Sequence, residues 1–363
     1  MDYALVQVIW NSLLSVFFLT SAFLLIYIAR KGFKAENRYG GASTLLTGSI
    51  VLFFGIYNSF QPLLPWPYNG FFIWWAVPLV LIYVGFLLVL KFKERKESNK
   101  KSSVDQNKAV LDKDLYKSEI SIKMELYRKS FHIAGLLILL SYYLVTRLVN
   151  NAVLQYITGV GQGAYQSLWG PISDYPYSLN SPDASQDLTF FALWGTFAFI
   201  CFPEYIRTLV GARYSLYNRL TKSVLRGKEY YSAGPHLFLV VGCTVAWFFS
   251  QLDWIPYSVA ICATMIACFS DALAAVIGRR YGRHDVKTHD GSTKTIEGYL
   301  AGVGSALIFG LIFVGPIYAL IGAIVFFLLD HYTMVIADNL MNPILISLAM
   351  LVLYQITGFP VGW

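Results

Sequence analysis

One segment gathers the residue types of phosphoryl chemistry: CFSDALAAVIGRRYGRHDVKTHDGSTKTIEGYLAG, residues 268–302. Asp271 stands inside an apolar run, eight residues before Arg279, which on a helix is about 12 Å of depth. Arg279, Arg280, Arg283, Lys287 and Lys294 follow, then Thr295 and Glu297; a further acid, Asp338, opens DNLMNPI beside Asn339. Carboxylates such as Asp271 and Asp338 ligate a hard cation like Mg²⁺, which keeps waters and substrate phosphates in its shell. Arg279, Arg280, Lys287 and Lys294 suit phosphate oxygens, the arginines in bidentate fashion. An acid, a metal and a basic loop together are the electrostatic means of phosphoryl or nucleotidyl transfer. The loop 279–296, with Gly282 and Gly291, is flexible enough to wrap a triphosphate.

The elements that must position these residues are membrane helices. The chain is 56% hydrophobic and only 13% charged, too few charges to clothe a soluble domain of this length. Ten spanning helices are predicted, at 4–29, 41–60, 70–91, 129–149, 188–208, 235–252, 256–278, 297–314, 317–336 and 341–358. The fold class is therefore an all-α integral membrane protein. All of the 28 Lys and Arg except Arg147 fall in 30–38, 91–129, 207–228 and 279–294. Alternate loops carry none, so these four segments are expected in the cytoplasm and both termini outside. The net charge of +7 is thus a topology signal, and no nucleic-acid partner is expected. The first span has no preceding cation and is too long for a secretory signal.

Three regions follow along the chain: an accessory three-helix membrane segment at 1–90, a charged linker at 91–123, and a seven-helix working domain at 124–363. The linker reads as a solvated segment or surface helix against anionic headgroups. The outer loop 150–187 contains GVGQG. It lacks the following Lys-Ser/Thr of a phosphate loop and is expected to cap the helix ends instead. Cys201, Cys243, Cys262 and Cys268 have no CxxC pairing and read as packing residues.

The ionisable residues in and beside the later helices map to one half of the membrane. They are Arg128, Lys129 and His132; Glu204 and Arg207; Arg226, Lys228, Glu229 and His236; Asp271; Glu297; Asp330, His331 and Asp338. Each would cost about 2.5–3.5 kcal/mol facing lipid alone, so they are expected to face one another in a polar cavity. Taken singly, the arginines are topology anchors and His132 an interfacial residue; the ensemble carries the chemistry.

SDALAAVIGRRYGRH followed by KTIEGYLAG resembles the signature of the CTP-dependent lipid-alcohol kinases: dolichol (polyprenol) kinase, phytol kinase and the CTP-using diacylglycerol kinase. ELYRKSFH, PEYIR with LRGKEYYSAGPHLFLVVG, and DHYTMVIADNLMNPI are similar to further segments of that family, in the same order. The resemblance covers about 124–357. It implies transfer of the γ-phosphate of CTP, with Mg²⁺, to the hydroxyl of an isoprenoid or glycerolipid, a long polyprenol being favoured. It further implies nucleotide binding by Arg128, Lys129, His132, Arg226, Glu229, His236, Arg279, Arg280, Lys287, Lys294, Thr295, Glu297 and Asn339. Asp271, Lys294 and Asp338 would be catalytic, and Asp271, Asp338 and Glu297 would hold the metal. One departure stands at Ala337, where the family pattern has an acid, leaving Asp338 alone in that motif.

Two rivals bear weighing. CDP-diacylglycerol synthases share part of the signature, but their second, a His-Gly-Gly…Asp-Arg-x-Asp segment, is absent. A transporter should show internal repeats and polar groups in both membrane halves. The expected home is a prokaryotic plasma membrane or the endoplasmic reticulum, with the active site toward the cytoplasm. Oligomeric state is open.

Overall fold

The computed structural model describes residues 3–65, 68–98, 129, 132, 134–146, 148–149, 152, 155, 159, 162–169, 182–211, 214–215, 231–289, 293–332 and 334–363. The elements in order are α1 Tyr3–Lys34, α2 Arg38–Phe60, α3 Tyr68–Ser98, α4 Ala134–Leu140, α5 Gln162–Trp169, α6 Pro182–Tyr205, α7 Pro235–Gln251, α8 Tyr257–Met265, α9 Asp271–Tyr281, β1 Asp285–Lys287, β2 Thr293–Thr295, α10 Ile296–Phe313, α11 Pro316–His331 and α12 Asp338–Thr357. Single π-turns extend α4 and α6, at Ser141–Val145 and Ile206–Val210, and a third, Ile266–Ser270, joins α8 to α9.

Among the described residues seven helices are long and apolar enough to cross a membrane: Leu5–Lys34, Arg38–Phe60, Tyr68–Arg95, Asp183–Val210, Tyr257–Tyr281, Ile296–Phe313 and Asp338–Thr357. They correspond to seven of the predicted spans. The sixth and ninth match the shorter apolar helices Pro235–Gln251 and Pro316–His331. The fourth, 129–149, lies partly outside the described residues.

Three boundaries differ from expectation, each for a local reason. The helix predicted at 188–208 begins at Pro182, whose fixed φ suits the first helical position, with Asp183 in the first turn. Asp187, assigned to the outer loop, therefore lies inside a helix and is buried. The helix predicted to end at 336 ends at His331, which puts Asp330 on the last turn. Helix α3 continues past its apolar stretch to Ser98, into the charged linker.

The first three helices share one apolar core with the later ones. Trp194 on α6 is fully buried, with ring centroids 4.4 Å from Phe18 and 4.9 Å from Phe54. Phe54 in turn sits edge-on to Phe248 at 4.9 Å. Polar bonds tie the helices as well: Asn58 Nδ2 donates to Ser15 Oγ at 2.8 Å, and Trp75 Nε1 donates to the Gly195 carbonyl at 3.1 Å. In lipid such bonds and close packing, rather than water exclusion, drive helices together.

Helices α9 and α10 approach backbone to backbone. A Cβ on Gly298 would lie 3.0 Å from the Ala274 carbonyl oxygen and 3.2 Å from Gly278 Cα. Between them β1 and β2 form an antiparallel hairpin with Val286 opposite Lys294. The described part of the loop expected to wrap a triphosphate is thus a strand pair, which adds a small β element to the expected all-α fold. The four cysteines are buried and free.

Candidate functional site

Acids and ammonium groups from five parts of the chain meet at the ends of α9, α11 and α12. Asp271 is the first residue after the π-turn Ile266–Ser270. Its Oδ2 is ion-paired directly with Lys129 Nζ, and Lys129 is 9% exposed. From the same stretch, His132 Nδ1 stands 2.9 Å from the Cys268 carbonyl. A carbonyl only accepts, so Nδ1 carries the proton. The π-turn is thus gripped from the side by two residues of the ELYRKSFH segment. Such turns are frequent at functional sites.

A second pair lies alongside. Lys294 Nζ is 2.6 Å from Asp330 Oδ1 and also donates to the Asp330 carbonyl. Asp330 feels the charges of Asp271 and Lys129 as well as that of Lys294. Asp338, first residue of α12, stands within electrostatic range of Asp271, Lys294, Asp330 and Lys129. Among the described residues this gives two ammonium groups against three carboxylates. Asp338 thus stands within electrostatic range of both Asp271 and Lys294. Asp330, which the sequence placed only among the ionisable residues of that membrane half, belongs in the same cluster.

His236 and Glu204 lie in a different arrangement. Glu204 is completely buried and accepts from Arg207 Nη2 at 2.6 Å and from the Gly234 N–H at 3.0 Å. His236 Nε2 is 3.3 Å from Glu204 Oε1, and Arg207 also donates to the Ser232 carbonyl. The carboxylate thus has three protein groups around it. Its geometry is that of a buried strut tying the end of α6 to the start of α7, with Nε2 of His236, one of the expected nucleotide-binding residues, turned to the carboxylate. Burying this carboxylate requires such a full set of partners.

The basic hairpin is solvent-facing. Arg279 and Arg280, on the last turn of α9, are exposed, as is Lys287 in β1. Thr295 is the N-cap of α10, its Oγ1 accepting the Gly298 N–H at 3.2 Å. Glu297 pairs with His284 Nδ1 at 2.7 Å. Glu297, expected among the metal ligands, is thereby held at the base of the hairpin. Asn339 Nδ2 donates to the Pro235 carbonyl at 3.3 Å, linking α12 to the mouth of α7. Arg128, Arg226 and Glu229 lie outside the described residues.

Asp271, Asp330 and Asp338 offer hard oxygen donors, the chemistry Mg²⁺ requires, and one carboxylate exceeds the ammonium groups. Among the described residues no three His, Cys, Asp or Glu side chains gather as an all-protein metal cage. A nucleotide-borne Mg²⁺ takes one or two carboxylates plus phosphate oxygens, so the donor set fits that binding mode.

Sequence reasoning missed two features. The Lys294–Asp330 pairing joins residues 36 apart with no shared motif. Ser43 and Thr44, in the segment outside the resemblance, touch the segments preceding α12 and α7. Their signal was faint: Ser43, Thr44 and Thr47 are three of five Ser and Thr residues along a largely apolar helix. No family model matches this chain, nor does any curated protein or any solved structure.

Proposed function

We propose that this chain is a CTP-dependent kinase of a membrane lipid alcohol, a polyprenol or dolichol in the first instance. Ten spans, counting the shorter helices and 129–149, would set the pocket toward the cytoplasm with both termini outside. The observation that carries the reading is the meeting of Asp271, Asp330 and Asp338 with Lys129 and Lys294, beside an exposed basic hairpin. The sequence resemblance supplies the nucleotide and the acceptor class.

In this reading Lys129 and Lys294 exchange their carboxylate partners for phosphate oxygens when the triphosphate enters. Arg279, Arg280 and Lys287 guide it from the hairpin. Asp271 and Asp338 would hold Mg²⁺, with Asp330 beside them; the ion would supply neutralisation of phosphate charge. The lipid hydroxyl oxygen forms a bond to the γ-phosphorus as the bond to the β,γ-bridging oxygen breaks. CDP leaves, and the hydroxyl proton passes to a carboxylate oxygen, for which Asp338 at the entrance of α12 is best placed. Positioning and charge neutralisation supply most of the acceleration, since a primary alcohol is a weak nucleophile.

The purified protein is incubated with CTP labelled at the γ- or the α-phosphate, plus polyprenol or phosphatidic acid, and the lipid is extracted. γ-Label in polyprenol is the expected result. α-Label in phosphatidic acid would make the chain a cytidylyltransferase. No label across a wide lipid panel would turn attention to a transporter.

A further inference from the structure

Helix α2 belongs to the part of the chain that the resemblance leaves out, yet it touches the segments leading into α12, which bears Asp338, and α7, which the Glu204 strut ties to α6. Ser43 and Thr44 are fully buried on it. Ser43 Oγ donates to the Tyr39 carbonyl and Thr44 Oγ1 to the Gly40 carbonyl, each at 2.7 Å. With its proton so committed, each hydroxyl oxygen can only accept.

Each accepts one backbone N–H from a distant segment. The Ala337 N–H reaches Ser43 Oγ at 2.9 Å, and the Ala233 N–H reaches Thr44 Oγ1 at 3.1 Å. Ala337 is the N-cap of α12, directly before Asp338; its methyl group offers no capping oxygen, so that entrance is held from outside. Ala233 precedes Gly234, the N-cap of α7, whose N–H is already held by Glu204. The chain enters this turn through Tyr231 at φ 60°, a conformation that persists for a non-glycine residue only where neighbours enforce it. Contact is close enough that a Cβ on Gly40 would fall 2.4 Å from Ser232 Oγ.

We infer that Ser43 and Thr44 are positioning residues: two consecutive hydroxyls on α2 that fix the entrances of α12 and α7, and so hold Asp338 in register with the two Lys–Asp pairs. The activity readout of this inference rests on the kinase reading; the exchange readout below does not.

The test uses the full chain in detergent or nanodiscs. Thr44→Val is isosteric and removes the acceptor, whereas Thr44→Ser keeps it and gives up a methyl group. Ser43→Ala removes the other acceptor. Hydrogen–deuterium exchange is read on peptides covering 231–236 and 336–340, together with γ-phosphate transfer. Thr44→Val should speed exchange at 231–236, and Ser43→Ala at 336–340. Ser43→Ala should also lower kcat about tenfold while KM for CTP moves by less than about twofold, as expected when the acceptor acid is misplaced and nucleotide contacts persist. Thr44→Ser should keep most of the protection.

Unchanged exchange in both hydroxyl-free variants overturns the inference, whatever the activity. So does Thr44→Ser behaving like Thr44→Val, which would make the contact one of packing. If Thr44→Val and Ser43→Ala do not fold while Thr44→Ser does, the hydroxyls serve assembly and the positioning role is lost. A wild-type protein that transfers no label, yet shows the exchange changes, refutes the kinase reading and leaves the clamp intact.

Discussion

At the scale of single residues, the Lys129–Asp271 pair joins chemistry to stability. Lys129 is nearly buried, so removing the carboxylate leaves an ammonium with little water to turn to. Breaking such a pair from one side costs about 3–5 kcal/mol, whereas replacing both partners by neutral groups can be close to neutral. Asp271→Asn is therefore expected to lower the melting temperature and to cut γ-phosphate transfer by on the order of 10³-fold. Lys129→Met combined with Asp271→Asn should recover much of the melting temperature and none of the turnover. Recovery of both would remove Asp271 from the chemistry. Glu204 is the contrasting case, fully enclosed by Arg207, His236 and the Gly234 N–H. Glu204→Ala should destabilise by about 3–5 kcal/mol because a buried guanidinium loses its counter-charge. A scan of melting temperature in a fixed detergent checks it, and a variant as stable as wild type would deny the strut.

At the scale of elements, the hairpin between α9 and α10 is set by small residues at its base. Gly282 adopts φ −61° and ψ 129°, which any residue can reach, so its requirement is space alone. A Cβ there would stand 2.2 Å from the Gly278 carbonyl oxygen and 2.5 Å from Thr295 Cγ2. Gly282→Ala must push the hairpin away from the N-cap of α10. Lys287 moves with it, so KM for CTP is expected to rise more than kcat falls, and proteolysis within 283–293 to quicken. Identical digestion of variant and parent would show that the hairpin is not anchored there. Glu297 holds the other side of that base through His284, an exposed and salt-sensitive pair. Glu297→Gln should accordingly weaken transfer far less than Asp271→Asn, and a loss of equal size would place Glu297 in the metal set.

At the scale of the whole molecule, the N-terminal helices are built into the core that carries the site. Trp194 lies against Phe18 of α1 and Phe54 of α2, and Tyr83 of α3 donates to the Phe199 carbonyl at 3.1 Å. A chain starting at 91 would expose that seam, so it is expected not to accumulate as a folded, monodisperse species. Co-expression of 1–90 with 91–363 should restore it in part. Size-exclusion chromatography of the two preparations distinguishes an integral segment from a dispensable one, and a well-behaved 91–363 alone would establish the latter.

Residue types and their order were enough to identify a helical membrane protein and to single out Asp271, Lys294 and Asp338. The reason is that charge is costly in hydrocarbon: an acid within an apolar run, or cations confined to alternate loops, is informative without any knowledge of neighbours. Which charge meets which was decided only in three dimensions. Lys129 is 142 residues from Asp271, and Glu204 and Asp271 are both acids on apolar helices. One is sealed by Arg207 and His236, while the other is paired with Lys129 beside two more carboxylates. Helix packing alone makes that distinction, because the partners of a buried charge come from whichever helices the close-packed seams bring alongside. Those seams are Gly278 against Gly298 and Gly40 against Ser232.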